Sequence, residues 1–403
     1  MGKKVFNTGL LSLENLKAKP FRTACLMVVT AALAFTLFGG AIIVLNLQQG
    51  LSAMTRRFGA DLMVVPAGSG EKAQSVLLNG GHSYFYFDSG IADAVAKTEG
   101  IACASPQFFL ASLSTDCCDE AVQLIAYDPA SDFVVQPWIA EKHSNTVAEG
   151  QLVIGSKIIP RANGSIKLFN HEYPVAARLS DSASGLDTSI FMTMGTMRDL
   201  IDRAHAEKYN FLADSYGDNA ISAVLVKADP LKNTTALAYT IRRENKGVEV
   251  LVSQGIFSRI SGALSGLVSY MRIFSAAFWA LAFIILAAVF SGSIHERKKE
   301  FAVLRILGAT RKKLAGIVLG ESFLAGIAGS AAGIVLASLA IFPFSTLIGE
   351  RLELPYLDAP LSGIALLVPG SLGLSALVGP LASLYSALRI SGAETYFTMR
   401  EGE

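Results

Sequence analysis

The chain reads as an α-helical membrane protein in which four transmembrane helices carry an α+β domain outside the bilayer. Three observations lead there. First, 52% of the residues are hydrophobic, 17% are charged and the mean hydropathy is +0.45. That is too apolar for an ordinary soluble protein and too charged for one that is all membrane. Second, four apolar runs, 23–47, 273–294, 315–344 and 359–388, reach the roughly 20 residues a helix needs to cross ~30 Å of hydrocarbon. Glu321 is their one Asp, Glu, Lys or Arg. Third, residues 48–265 carry charges throughout, and their longest apolar stretch, 101–115, is broken by Ser, Pro and Gln.

Residues 1–22 hold Lys3, Lys4, Lys17, Lys19 and Arg22 against Glu14. Within them, 6–21 places Leu10, Leu13 and Leu16/Lys17 on one face, which predicts an interfacial helix ending at Pro20. The run 23–47 starts too late and is too long for a signal-peptide core, so it reads as a membrane anchor.

The domain 48–265 is expected to begin with a strand at 61–66 and a helix at 89–98. Strands follow at 104–115 and 120–127 around a turn at 116–119, then at 152–159, 166–169, 175–179 and 189–191. A helix at 196–207, a strand at 220–226, a helix at 232–245 and a strand at 248–252 close it. This order suggests a split β-α-β module with a β-rich inserted lobe. The aromatics at 84–87 and around Trp138 read as strand core or sheet face, with a docking surface as the alternative.

The segment 295–314, HERKKEFAVLRILGATRKKL, separates two apolar runs and holds seven Lys or Arg against two Glu. Lys and Arg are retained on the inner side of a bilayer. Loop 345–358, with Arg351 against Glu350, Glu353 and Asp358, has the opposite balance. Both termini, the tail 389–403 included, and the 295–314 loop are therefore expected inside the cell, and the large domain outside. Phe301, Leu304 and Leu307/Gly308 recur at helical spacing, an amphipathic pattern suited to a partner protein or the membrane surface.

The run 315–344 contains Gly316, Gly320, Gly329 and Gly333 in two G-x-x-x-G spacings, which predicts close helix packing within the chain or between copies. Glu321, an ionisable group inside a span, is a functional candidate. It is expected to pair with the 295–314 loop or a partner subunit, or to reach interfacial water.

Among the cysteines, Cys25 reads as an apolar filler. Cys103, Cys117 and Cys118 fall in the external domain, where three readings compete: a Cys103 disulfide across neighbouring strands, a vicinal Cys117–Cys118 disulfide, or a soft-metal or iron-related site with flanking carboxylates. His82, His143, His171 and His205 stand singly. No hydrolase elbow, Rossmann fingerprint or G-x-x-x-x-G-K-[ST] phosphate loop occurs, and Gly68–Lys72 lacks the spacing. Catalysis by this chain, a bound cofactor and a nucleic-acid partner are not expected.

The wording E-R-K-K-E-x-x-V-L-R-x-L-G-A-T-R from Glu296 to Arg311 resembles the loop after the second span in ABC transporter permeases of the FtsX/MacB type. In that family the loop touches the ATPase subunit, which marks Glu296, Arg297, Glu300, Leu304, Arg305, Leu307, Gly308 and Ala309 as coupling residues. GLDTSIFMTMGTMRDLID (185–202) and AISAVLVKADPLKNTTALAYTIRR (220–243) are similar to parts of the MacB-type periplasmic core, and RISGAETYFTM (389–399) to the family's tail. Lacking a phosphate loop, the chain departs from MacB and resembles stand-alone permeases such as LolC/LolE and FtsX. The resemblance implies an inner-membrane permease with a cytoplasmic ATPase holding ATP and Mg, a second permease copy, surrounding lipid and an external partner protein. The external cysteines, with S-P-Q-x-x-L-A-S-L upstream, suggest iron, haem or metal cargo. Release of lipoproteins or amphiphiles, and non-transporting control of an external enzyme, are the alternatives.

Overall fold

The computed structural model describes residues 8–112, 118–119, 121–140, 147–208, 219–296, 298–345 and 355–392. Two compact units result: Met1–Asn46 with Ser265–Ile348 and Asp358–Glu403, and Leu47–Leu264 with Gly349–Leu357.

The first unit is helical. It contains α1 (Thr8–Ala18), most of α2 (Pro20–Phe58) and α8 (Ser253–Glu296), α9 (Lys298–Ile306), α10 (Arg311–Ile341) and α11 (Leu361–Gly392). Pro20 is well placed as the first residue of α2, since it lacks the N–H that a first turn leaves unbonded. Four of these helices, α2, α8, α10 and α11, are long and apolar enough to cross a membrane. Pro369 and Pro380 lie inside α11, where each removes a backbone donor.

The glycines of α10 serve packing inside the chain. A Cβ on Gly333 would strike the backbone of Ala31, and one on Gly329 would strike Thr30 and Met27, all on α2. Gly326 lies against Ala376 of α11, and Gly320 against Ser12 of α1. Gly316 departs from the expected pattern, with nothing within 4 Å of its ideal Cβ position.

The second unit is a sheet covered on both faces. In chain order it comprises β1 (Leu62–Pro66), α3 (Gly70–Asn79), β2 (Phe87–Asp88), α4 (Gly90–Ala96), β3 (Ile101–Ala111), β4 (Gln123–Tyr127), α5 (Val135–Ala140), β5 (Leu152–Ile154), β6 (Ser165–Leu168), β7 (His171–Arg178), β8 (Ser189–Thr193), α6 (Met194–Ala206), β9 (Ala220–Ile221), β10 (Ala223–Ala228), α7 (Thr234–Glu244) and β11 (Val248–Val252). Nine strands run in the order β11-β1-β10-β3-β4-β8-β5-β7-β6, and β2 pairs with β9 separately. Pairing is antiparallel except for β4–β8 and β5–β7. Strand β1 lies between the last two strands of the sheet's chain order, β10 and β11, so the beginning and end of the domain close on each other.

Successive strand residues point to opposite faces, and the cores follow that alternation. Met63, Val65, Phe109, Ile125, Tyr127, Val153, Phe191 and Leu225 join α3 and α5 in one core. On the other face, Leu62, Val64, Val224 and Val226 pack with α7. Phe108, Leu110, Leu124, Ile154, Ile190 and Met192 pack with α6. With both faces covered, strands such as LMVVP are buried at nearly every position.

Four expectations need correction. Strand 152–159 stops at Ile154, because the chain turns after it, with Ile158 N–H bonding back to Gly155 C=O at 3.3 Å. Trp138 lies on helix α5. Of the aromatics at 84–87, only Phe87 belongs to a strand. Helix α1 turns Ser12 and Leu16 inward, whereas Leu13, expected on the same face as Leu16, is exposed.

Candidate functional site

The 295–314 segment folds as the end of α8, the short helix α9 and the start of α10. Two hydrogen bonds set the turn between the last two. Gly308 N–H donates to Arg305 C=O at 3.0 Å, and Ala309 N–H to Leu304 C=O at 3.0 Å. With Gly308 at φ 93°, this is a Schellman ending, which glycine adopts without the steric cost other residues meet. Nothing lies within 4 Å of the Cβ position at Gly308, so backbone conformation selects glycine there and close approach does not.

Helix α9 has two different apolar faces. Phe301 is buried in the same core as Leu16, Phe290 and Leu314, Leu304 and Ala309 pack against that core, and Ala302 is also buried. Val303, Ile306 and Leu307 point away and are 53%, 65% and 68% exposed. Leu307 thus lies off the stripe that spacing had given it with Phe301 and Leu304. Glu300 pairs with Lys19, just after α1, at 3.1 Å. Arg305 is half-buried, Glu296 is the last residue of α8, and Arg297 lies outside the described residues.

Glu321 is 1% exposed, and two of its partners lie near the start of the chain. Its Oε2 accepts from Arg22 at 2.7 Å and its Oε1 from Asn15 Nδ2 at 2.7 Å. Arg22 also donates to Ser293 Oγ on α8. Sequence reading singled out Glu321 but missed Asn15 and Arg22 as its partners, which lie some three hundred residues away.

In the sheet unit, Cys103 is an exposed free thiol on β3, opposite Lys227 of β10. Cys118 is buried in the core against α6, and its Sγ accepts the Phe169 N–H at 3.4 Å. A Cys103–Cys118 staple is therefore not formed, and Cys117 lies outside the described residues. Asp119, expected beside a metal, forms an ion pair with Arg161 at 2.6 Å and accepts from Lys167 N–H. Burial works against the Asp119 carboxylate, but these bonds and the two cations hold its pKa below the usual value. Among the described residues, no three His, Cys, Asp or Glu side chains converge as a metal site would need.

Asp187 is a buried carboxyl of this unit, 0% exposed. It accepts from Ser182 N–H at 2.9 Å and Ser182 Oγ at 2.8 Å, inside a capping box with Ser184. Burial, then the hydrogen bond and charge of Asp181, push its pKa to about 7 against the opposing Ser182 bonds. Nearby, Phe58 at the end of α2 and Phe257 near the start of α8 meet edge to face, ring centroids 5.6 Å apart. Arg57 lies over Trp138, 5.3 Å from its ring centroid.

Residues 272–395 match the FtsX-like permease C-terminal family, a range that holds α9, its turn and Glu321. This stretch is similar to an FtsX-like permease domain. The chain is similar to the periplasmic region of MacB from Actinobacillus actinomycetemcomitans, at 13% identity, 51% of this chain, 95% of that chain and TM-score 0.33. It is also similar to the extracellular domain of the noncanonic ABC-type transporter YknZ from Gram-positive bacteria, at 10% identity, 48% of this chain, 98% of that chain and TM-score 0.27. No curated protein matches the chain.

Proposed function

We propose that this permease is the membrane subunit of a bacterial ABC system, inserted in the inner membrane with the sheet unit outside and both termini inside. A separate ATPase docks on α9, and a second permease copy completes the assembly. The observation that carries this reading is the exposed apolar face of Val303, Ile306 and Leu307, inside an FtsX-like domain and set between basic residues. An apolar patch of this kind next to a rigid turn suits a protein partner.

ATP-driven movement of the ATPase would displace α9, and with it α8 and α10, which flank it in the chain. Helices α2 and α8 are the covalent entry to and exit from the sheet unit, and their ends meet there through Phe58 and Phe257. Movement passes outward along them, so cargo need not cross the bilayer between the helices. ATP and Mg belong to the partner in this scheme. The sheet unit acts on lipid-anchored, amphiphilic or iron-related cargo or on an external protein. The burial of Cys118, with its sulfur accepting a backbone hydrogen bond, speaks against a cysteine-pair metal carrier among these.

Reporter fusions test the arrangement. A fusion at Gly150 is expected to be active only outside the cytoplasm, and one at Lys299 only inside. The reverse at either position would remove α9 from the reach of an ATPase and overturn the proposal.

A further inference from the structure

The ion pair between Arg22 and Glu321 has a role that the docking of an ATPase on α9 does not by itself supply. Glu321 uses its two oxygens on two different elements, Asn15 of α1 and Arg22 of α2, each at 2.7 Å. Those residues flank the corner at Pro20, where the chain passes from α1 to α2. One turn before Glu321, Ser12 Oγ donates to Ile317 C=O at 3.2 Å, so α1 is bound to α10 at two successive levels. Arg22 extends the group to Ser293 of α8, and Lys19 extends it to Glu300 of α9. The carboxylate is 1% exposed and the guanidinium 12%. A charge this deeply buried in a span is retained only with its partner, and losing one member strands the other.

We propose that Glu321 is a positioning residue: a buried anchor that fixes the α1–α2 corner to α10, so that α1 moves with α9 and α10 as one body. Charge-assisted bonds from two helices to a single carboxylate set both the distance and the register of the corner. Displacement of α9 is then felt directly at the start of the first span, through α10 and Glu321, as well as through the chain connection to α8. This consequence rests on the permease reading. The anchor itself does not, and it is tested without any ATPase.

The Cβ of Ser12 lies 3.5 Å from where a Cβ would stand on Gly320, within the separation a disulfide needs. In the full-length chain in native membranes, S12C/G320C is expected to cross-link rapidly under mild oxidation, while each single cysteine does not. Adding Glu321→Gln should slow the cross-link by about tenfold, and Asn15→Ala, which leaves the ion pair in place, by less. The exchange R22E/E321R should restore much of the rate, which a general loss of packing would not allow. If Glu321→Gln fails to insert, Asn15→Ala and the exchanged pair still report. Cross-linking at the parental rate in both Glu321→Gln and Asn15→Ala, or no recovery on exchange, would overturn the anchor. Normal anchor behaviour in a chain that stimulates no ATPase would instead count against the permease reading alone.

Discussion

In the sheet unit, Met63, Phe109, Ile125 and Phe191 are closed off by helices on one face, while Leu62, Leu124 and Ile190 are closed off on the other. In the helical unit, Phe21, Phe274, Leu339 and Leu366 are among many large apolar side chains left 65% to 90% exposed. What holds the helices to one another there is close backbone approach at Gly329 and Gly333 together with buried polar pairs such as Arg22–Glu321. The contrast follows from solvent. Water drives the sheet unit to bury apolar area, whereas lipid gives no such drive between helices and leaves packing and hydrogen bonding to do it. The two units should therefore fail by different mutations.

The largest expected effect lies in the sheet unit. Phe191 is 1% exposed in the core that includes α3 and α5, and Phe191→Ala should cost about 3–5 kcal/mol. Denaturant unfolding followed through Trp138, which meets Phe191 edge to face at 6.1 Å, would measure it. A loss under about 1 kcal/mol would show the core is not closed as described.

Next comes a pair within the helical unit. Gly333→Leu drives a side chain into the backbone of Ala31, and overpacking costs about 1–3 kcal/mol, more where backbone must move. Gly316→Leu enters open space and should be tolerated. Thermal stability of the purified chain in detergent separates the two. Equal tolerance would break the claim that glycine contact holds α2 to α10.

A smaller, pH-dependent effect belongs to Asp187. A folded pKa of about 7 against the ordinary 3.8 means the folded state holds a proton that the unfolded chain has released between those values. Its share of stability is therefore present below the ordinary carboxylate range, falls as pH rises towards 7 and is level above. Asp187→Asn should flatten the melting temperature of the chain between about pH 5 and 7. An unchanged slope would show that Asp187 is already ionised across that range.

Legibility in sequence also differs between the two units. The spans could be read because length and freedom from charge suffice to mark them. Strands β1, β4, β10 and β11 could be read because buried apolar runs bounded by turns have few alternatives. Helix α3 was missed: its buried Ala73, Val76 and Leu77 follow Gly68 and Gly70, which read as loop. The fate of Cys118 was hidden by Asp116, Cys117, Asp119 and Glu120 around it, a polar setting that gives no hint of a buried sulfur. The partners of Glu321 were beyond reach, since no local pattern reports contacts across the length of a chain. Within α9, spacing marked Phe301 and Leu304 as one apolar face, but only the fold separates the buried Phe301 from the exposed Leu307.

That separation underlies the proposal that α9 receives an ATPase through its exposed face while its other face packs within the helical unit. Leu307→Glu changes the exposed face and leaves Phe301 and the Gly308 turn in place. With the chain and its ATPase reconstituted in lipid nanodiscs, this variant is expected to insert normally. ATPase affinity should fall about thirtyfold, the effect of losing a contact worth ~2 kcal/mol, and stimulated hydrolysis should be lost with it. Full affinity and full hydrolysis in Leu307→Glu would show that the ATPase does not dock on this face of α9.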